Sequence, residues 1–395
     1  MLIGDNHPEM IAIAKNLAER QINFLIILPA FFHASEITTL KLFPRLCDFA
    51  IKRRIPIQIK SSNVRRPLFI LELFIWVFGR IGFVRLSSLI SKVVGHLYTV
   101  YILASIKIMR PTTVITYDTF LVVKKNFKLI VISPAIHPNS HERYMQTARL
   151  NAINWPLRGE DNKSHAKIQT INSADNLVLF SKFAAETFQR NGIAHNLITI
   201  INIGPKTIFN ESGVIAQKRE KMNIVFLGRL SVSKGISEII TASWSLSNRF
   251  CISLIGNCSD EIFEYIITKS NPENVRVFRH QNNQEIANLI SNAHVMLHPS
   301  YFEGFSISCI EGMRSGLVPI FSNNSGVAEI LHGSELANLT VNPGDSQSLV
   351  KNIQYLDSLE WDQFNQLSKM AKELSLNYSF QIFSNNFVQK FILKN

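Results

Sequence analysis

Cysteine is scarce in this chain of 395 residues. Cys47, Cys251, Cys258 and Cys309 show no paired metal-ligand spacing, which argues against a zinc site or a disulfide framework and leaves free thiols in a reducing compartment. The start, Met1-Leu2-Ile3-Gly4-Asp5, lacks the basic and apolar regions of a signal peptide, so a cytoplasmic protein is expected. There is no fixed-period repeat, and no Gly/Ser/Pro-rich or single-charge block marks a disordered tail. No G-x-G-x-x-G follows a strand, which counts against a nicotinamide-dependent dehydrogenase.

Long apolar runs are missing too. The most apolar stretch, Leu68 to Phe78, carries Glu72 and is soon followed by Arg80. As a helix it would span about 16 Å against a hydrocarbon core of about 30 Å, too short to cross a bilayer. Flanked by Arg65, Arg66, Arg80 and Arg85, it reads as an interfacial helix on an anionic membrane, the alternative being a core helix beside a solvated basic face. Acidic residues are nearly absent around it. From Lys41 to Arg110, thirteen basic residues face two acids, Asp48 and Glu72, so this segment holds almost all of the net charge of +12. Something anionic is expected to meet it: lipid headgroups, a lipid-linked phosphate or a nucleic acid. The aromatics here cluster in the apolar run instead of interleaving with the charges, which argues against nucleic acid.

What the chain does have is hydrophobic content, 46% against 18% charged, and a length that suits two domains. In the C-terminal half, apolar strands at Asn223–Leu227, Phe250–Ile255, Asn274–Phe278, His294–His298, Val318–Phe321 and Leu336–Val341 alternate with helical stretches at Ile236–Leu246, Gln284–Asn292 and Ile307–Ser315. This is the rhythm of βαβ units and a parallel, doubly wound sheet. The N-terminal half repeats it: Leu2–Gly4, a helix over Glu9–Arg20, then strands at Phe24–Leu28, Thr113–Tyr117, Leu129–Ser133, Leu177–Phe180 and Leu197–Ile201. A break at Gly204-Pro205 and a charged stretch from Gln217 to Lys221 place the linker near 204–221. The fold expected is α/β, two Rossmann-like doubly wound parallel-sheet domains facing across a cleft. Residues 1–208 form the first domain and 209–377 the second, with a C-terminal helix of about 378–395 packing back on the first. Ligands of such folds bind at the carboxyl ends of the strands.

Two segments carry chemistry. In Phe226-Leu227-Gly228-Arg229-Leu230-Ser231-Val232-Ser233-Lys234-Gly235, a strand ends in a glycine turn before a helix start. Gly228 lets backbone approach a ligand, Arg229 offers a planar fork for phosphate oxygens, and Lys234 offers a point charge. The pair suits a diphosphate without a metal; the plain reading is two surface cations beside a βα turn. In His298-Pro299-Ser300-Tyr301-Phe302-Glu303-Gly304-Phe305-Ser306-Ile307-Ser308-Cys309-Ile310-Glu311-Gly312-Met313, a strand again gives way to a glycine turn and a helix. On one helix Glu303 and Glu311 would stand about 12 Å apart, beyond the roughly 5–9.5 Å carboxylate spacing of glycosidases. Glu303 is therefore expected in the loop and Glu311 two turns into the helix, serving different parts of an elongated, hydroxyl-rich ligand. The plain reading is a helix cap and a solvated carboxylate.

Together the Gly-Arg-x4-Lys-Gly and Glu-x7-Glu stretches resemble the retaining glycosyltransferases of the GT-B fold, family 4. Gly316-Leu317-Val318-Pro319-Ile320-Phe321-Ser322 and Gly326-Val327-Ala328-Glu329-Ile330 look like the family's next strand and helix. The likeness is specific from about Asn223 to Ile330 and weaker through Ser173–Asp175, Ser181–Phe183 and Asn202–Phe209. It implies that Arg229 and Lys234 hold a donor diphosphate, with Gly228 at the turn. Backbone N–H groups of Gly304, Phe305 and Ser306 would cover the phosphates, Glu311 would bind the ribose hydroxyls, and Glu303 would contact the transferred sugar. His137, in Ser133-Pro134-Ala135-Ile136-His137-Pro138, is expected beside that sugar as a second catalytic residue, with a surface-loop histidine as the plain reading; Asp118 and His7 are weaker candidates of the same kind. Base selection would rest on backbone near Val277–Gln281.

The sequence departs from the family where a glycine pair should follow the first strand: it has Gly4 and then Asp5-Asn6-His7-Pro8. Asn202-Ile203-Gly204-Pro205 also replaces the usual Asn-Gly-Val-Asp. The reaction implied is metal-independent, needs no cofactor, and retains anomeric configuration, moving a sugar from a UDP- or GDP-linked donor to a saccharide or lipid-linked acceptor in lipopolysaccharide or polysaccharide assembly. The anionic membrane surface would be met through residues 41–110, on the inner face of the cytoplasmic membrane. The alternatives are a non-catalytic partner subunit with the same fold and a nucleotide-sugar epimerase.

Overall fold

The computed structural model describes residues 1–3, 8–28, 53–67, 69–71, 73, 75, 84–118, 126–152, 155–156, 165–205 and 221–393. Among these, a first parallel sheet takes β1 (Leu2–Ile3), β2 (Ile26–Ile27), β3 (Val64–Arg65), β4 (Thr113–Tyr117), β5 (Lys128–Ser133), β6 (Asn176–Leu179) and β7 (Ile198–Ile200), side by side in the order 3-2-1-4-5-6-7. Its helices are α1 (Pro8–Glu19), α2 (Val84–Met109), α3 (Pro138–Asn151), α4 (His165–Asn172) and α5 (Lys182–Gln189). A second parallel sheet takes β8 (Met222–Leu227), β9 (Phe250–Ile255), β10 (Val275–Phe278), β11 (Val295–His298) and β12 (Val318–Phe321), in the order 10-9-8-11-12. Around it lie α6 (Ile236–Ser243), α7 (Asp260–Lys269), α8 (Asn283–Ser291) and α9 (Ile307–Arg314), followed by α10 (Ser346–Ser358), α11 (Trp361–Ser375) and α12 (Phe380–Val388).

Both sheets are covered on both faces, so their strands read as unbroken apolar runs: Leu129 to Ile132, Leu177 to Leu179 and Val295 to Leu297 are all fully buried. The helices carry the 3.6-residue period, and α1 buries Met10, Ile13, Ala14 and Leu17 along one face. Several starts are capped as their sequences suggest: Ser181 accepts from Ala184 N at the head of α5, and Asn282 with Glu285 forms a capping box on α8. Strand order reverses between β1 and β4 in one sheet and between β8 and β11 in the other. A crevice opens at the strands' carboxyl ends at such a reversal. The terminal α12 leaves the second sheet and lies on α1, where Asn16 Nδ2 donates to Asn385 Oδ1 at 2.5 Å and Phe383 meets Phe180 edge-on at 5.6 Å.

Leu336–Val341 is not a strand. Residues Glu335–Leu339 form a 3-10 turn, and only Val341 touches the sheet, through a single bridge to Ser322. Leu336 and Leu339 are both buried; a spacing of three puts them on one face of a 3-10 turn, where alternation would have split them. The edge strand β3 and the long α2 went unread in the sequence. Of the Leu68–Phe78 stretch, Phe69, Ile70, Leu71, Leu73 and Ile75 are helical; the rest lies outside the described residues, as do Gly4–His7, Cys47, Arg80 and residues 206–220. Cys251, Cys258 and Cys309 are free thiols. Among the described residues no helix is long and apolar enough to cross a membrane.

Candidate functional site

The two motif segments meet at the reversal between β8 and β11. Leu227 ends β8, and the chain turns through Gly228 and Arg229 into a 3-10 turn at Val232–Lys234. Gly235 then takes φ +72°, with Pro299 O only 2.2 Å from where a Cβ would stand, so α6 starts where only glycine fits. Across the reversal, β11 ends at His298, Glu303 lies in the following loop, and α9 begins at Ile307. Glu311 therefore sits just past the first turn of α9, one turn in instead of two, because the glycine loop uses up the residues before Ile307. Ser308 Oγ donates to Leu227 O at 3.0 Å, pinning the first turn of α9 beside the end of β8. Ser306, the residue before α9, makes no side-chain cap, so the helix presents free N–H groups and its positive dipole end here.

The carboxylate of Glu303 is held by Lys234 Nζ in a partly buried ion pair and lies 3.4 Å from His298 Nε2. Burial works against its charge, but the Lys234 ammonium and the His298 hydrogen bond prevail and bring Glu303 down to about 2. His298 is buried, stacked on Phe226 at 5.6 Å, and burial lowers its pKa despite Glu303. It therefore acts as a neutral imidazole donating from Nε2, with a buried Nδ1 that has no partner among the described residues. Glu311 is the opposite case. Burial lifts its carboxyl to about 7, with Arg314 opposing, while Arg314 spends its own Nη2 on Ser375 O and Tyr378 O. Arg229 is exposed and makes no hydrogen bond or ion pair with any described residue.

Gly304 and Phe305 close the site against the first domain. Gly304 O accepts from Ser181 Oγ at 2.7 Å, and a Cβ on Gly304 would stand 2.4 Å from Pro134 O, so the loop lies directly against the chain leaving β5. Phe305 is buried beside the Tyr378 ring at 6.0 Å. His137 follows the same stretch of chain: its Nδ1 accepts from Asn139 N at 3.2 Å as the cap of α3, and its ring packs edge-on to Phe188 at 5.2 Å. The histidine that α3 turns toward the second domain is His141, with its ring 4.7 Å from Phe302. Burial and then Lys167, Arg149 and Lys234 lower its pKa. Asp118 is buried under Ser133 Oγ at 2.5 Å, with Lys167 Nζ at 3.9 Å.

Sequence reasoning did not single out His298, His141 or Glu329. Glu329 Oε2 accepts from Lys182 N at 3.0 Å and its Oε1 from Phe183 N at 2.5 Å, capping a helix of the first domain from the second. A buried polar residue ending an apolar strand was the signal available for His298; the other two act through contacts remote in sequence. Near the second sheet's edge, His280 takes φ +59° and its N donates to Asn257 Oδ1 at 3.0 Å, shaping the backbone that follows β10.

Residues 208–377 match the family described as glycosyl transferases group 1. A 41.2 kDa protein of the cps region of Klebsiella pneumoniae is 26% identical over 161 residues, 40% of this chain and 43% of that one, and the chain spans less than half the length of such curated relatives. Solved structures match over nearly the whole chain at low identity, which speaks to fold. HepE from Anabaena in complex with UDP-glucose aligns with TM-score 0.62 at 16% identity, over 98% of each chain. WaaG, a glycosyltransferase involved in lipopolysaccharide biosynthesis, aligns with 0.61 at 12%, over 99% of this chain and 100% of that one. Residues 208–377, which include the second sheet, thus match the glycosyl transferases group 1, on a chain that has the GT-B fold of two Rossmann-like domains.

Proposed function

We propose that this protein transfers a sugar from a nucleotide-sugar, UDP- or GDP-linked, to a saccharide or lipid-linked acceptor, with retention of configuration and without a metal. The observation that carries the reading is the unequal pair of carboxyls at the β8/β11 reversal. Glu303 is locked in its charged form between Lys234 and His298, while for Glu311, half-buried beside an uncapped helix start, desolvation outweighs the Arg314 charge. A diphosphate would be held by the free Arg229 guanidinium, Lys234 and the N–H groups from Gly304 to Ser306. Ribose hydroxyls would give Glu311 the donors it lacks, and backbone near Val277–Gln281 would meet the base.

In the transfer, the bond from the anomeric carbon to the phosphate oxygen breaks and its electron pair stays on the phosphate, where Arg229 and Lys234 stabilise it. The acceptor oxygen bonds to the same carbon from the same face, and its proton passes to the departing phosphate. Glu303 would orient the sugar through its hydroxyls. His137 caps α3 through Nδ1 and would meet the sugar through Nε2, with His141, set against Phe302 and within the field of Lys234, as a second histidine on the sugar side. The names of the relatives, one from a cps region and one in lipopolysaccharide biosynthesis, support cell-surface polysaccharide assembly as the setting, with the acceptor presented at the inner face of the cytoplasmic membrane.

Calorimetric titration with UDP, GDP, ADP and NAD tests the donor site. One nucleoside diphosphate should bind tightly and lose at least tenfold in affinity on Arg229→Ala, with binding unchanged by EDTA. Binding of NAD alone, or of none of the four, would sink the proposal.

A further inference from the structure

The helix α2 has two apolar sides, and among the described residues only one of them is buried. Val94, Tyr98, Ile102 and Ser105 are buried against the first domain. Val93 (53% exposed), Leu97 (44%) and Val100 (63%) form a second line on the solvent side, continued by Ala104 and by Ile108 at 80%. Their spacing of four, three, four and four is that of one stripe on a 3.6-residue helix. Single exposed apolar residues are ordinary; a contiguous stripe of this length marks something that covers it. The charges at its end are of one sign. Lys107 and Arg110 are both exposed beside Ile108, and no acid other than Glu72 lies between residues 53 and 110. The cationic neighbourhood selects an anionic occupant, and the apolar stripe selects one that also offers hydrocarbon.

We infer that the outer face of α2 lies in the headgroup layer of an anionic lipid bilayer, with Val93, Leu97, Val100 and Ile108 entering the acyl boundary and Lys107 and Arg110 meeting lipid phosphates. This deepens the proposed acceptor presentation but shifts the contact from the Leu68–Phe78 stretch to α2. The helix lies along the surface without spanning it. An acceptor carried on a lipid would then reach the protein in the plane of the membrane.

Vesicle flotation with the full-length protein tests this without any donor or acceptor, so its failure leaves the transfer reading standing. Two vesicle types serve: phosphatidylcholine alone, and phosphatidylcholine with one third phosphatidylglycerol. Wild type should float with the anionic vesicles, bind the neutral ones about tenfold less, and keep part of its binding at 0.5 M salt, where attraction between charges alone is screened. Leu97→Glu/Val100→Glu should lose about tenfold in binding at either salt. Lys107→Glu/Arg110→Glu should lose it mainly at low salt. Thermal melts within a few degrees of wild type confirm that both variants fold, as expected for exposed positions. Wild type left at the bottom of the gradient with anionic vesicles at low salt overturns the inference. So does binding that Leu97→Glu/Val100→Glu leaves untouched, or a dimer in light scattering that this variant alone dissolves, which would give the stripe to a second copy of the chain.

Discussion

Two carboxyls of the same motif face opposite electrostatic conditions, and the consequence can be measured. Burial raises Glu311 from 4.5 to about 7, so between those values the folded protein holds a proton that the unfolded chain has released. Stability is then full below pH 4.5, falls as pH rises through that window, and is reduced above it by up to about 3 kcal/mol before relaxation. Glu311→Gln should therefore melt higher than wild type at pH 8, match it at pH 4.5, and bind nucleoside diphosphate more weakly at both. A lower melting temperature at pH 8 would mean that the Arg314 charge outweighs the burial of Glu311. Glu303, held at about 2, runs the other way. Its contribution is present above pH 4.5 and lost as pH falls toward 2. Arg229, Lys234, Glu303 and Glu311 stand out in the sequence because each adjoins a glycine, and Arg229 and Glu303 also follow closely on a strand end. His298 does not, since its role appears only when β11 places it on Phe226 and under Glu303.

At the scale of elements, the second sheet was legible because its strands are buried on both faces and its helices amphipathic, so the period changes cleanly at each boundary. Legibility failed where period and environment part company. Leu336–Val341 has the composition of a strand, yet two buried leucines three apart make it a 3-10 turn. The two-residue strand β3 is too short to show alternation. In α2 the apolar residues run round both sides, blurring the stripe by which a helix is recognised. The β8/β11 pairing is the element-level support of the site, and the stack of Phe226 on His298 ties the two strand ends together. Phe226→Ala should cost about 3–5 kcal/mol, seen as a lower denaturant midpoint at unchanged slope. Phe226→Leu, which refills most of the volume, should recover more than half of that loss. Equal losses for both would mean that the ring stack, and not the volume, supports the strand ends.

For the molecule as a whole, the geometry of the candidate site depends on a junction between the two sheets that no single stretch of sequence contains. Glu329 caps the start of α5 from 147 residues away, Ser181 bonds the carbonyl of Gly304, and Gly326 N donates to Glu303 O at 2.9 Å. The loop that holds Glu303 is thereby fastened to the first domain at a point where a Cβ on Gly326 would stand 2.2 Å from Gly304 O. Hydrogen bonds from backbone N–H to a carboxylate are among the stronger ones, about 1.5–3 kcal/mol each when shielded. Opening the cleft would free the same N–H groups to water, so the net hold is smaller and the junction can release. Glu329→Ala should shift the protein toward an open form: a larger radius of gyration in small-angle scattering and faster hydrogen exchange at Lys182 and Phe183. Nucleoside diphosphate affinity, which rests on the second domain, should change less than threefold. Glu329→Gln keeps one oxygen acceptor and should fall between the two. A radius and exchange rates identical to wild type in Glu329→Ala would show that the aromatic contact of His141 and Tyr144 with Phe302 holds the domains together without the cap.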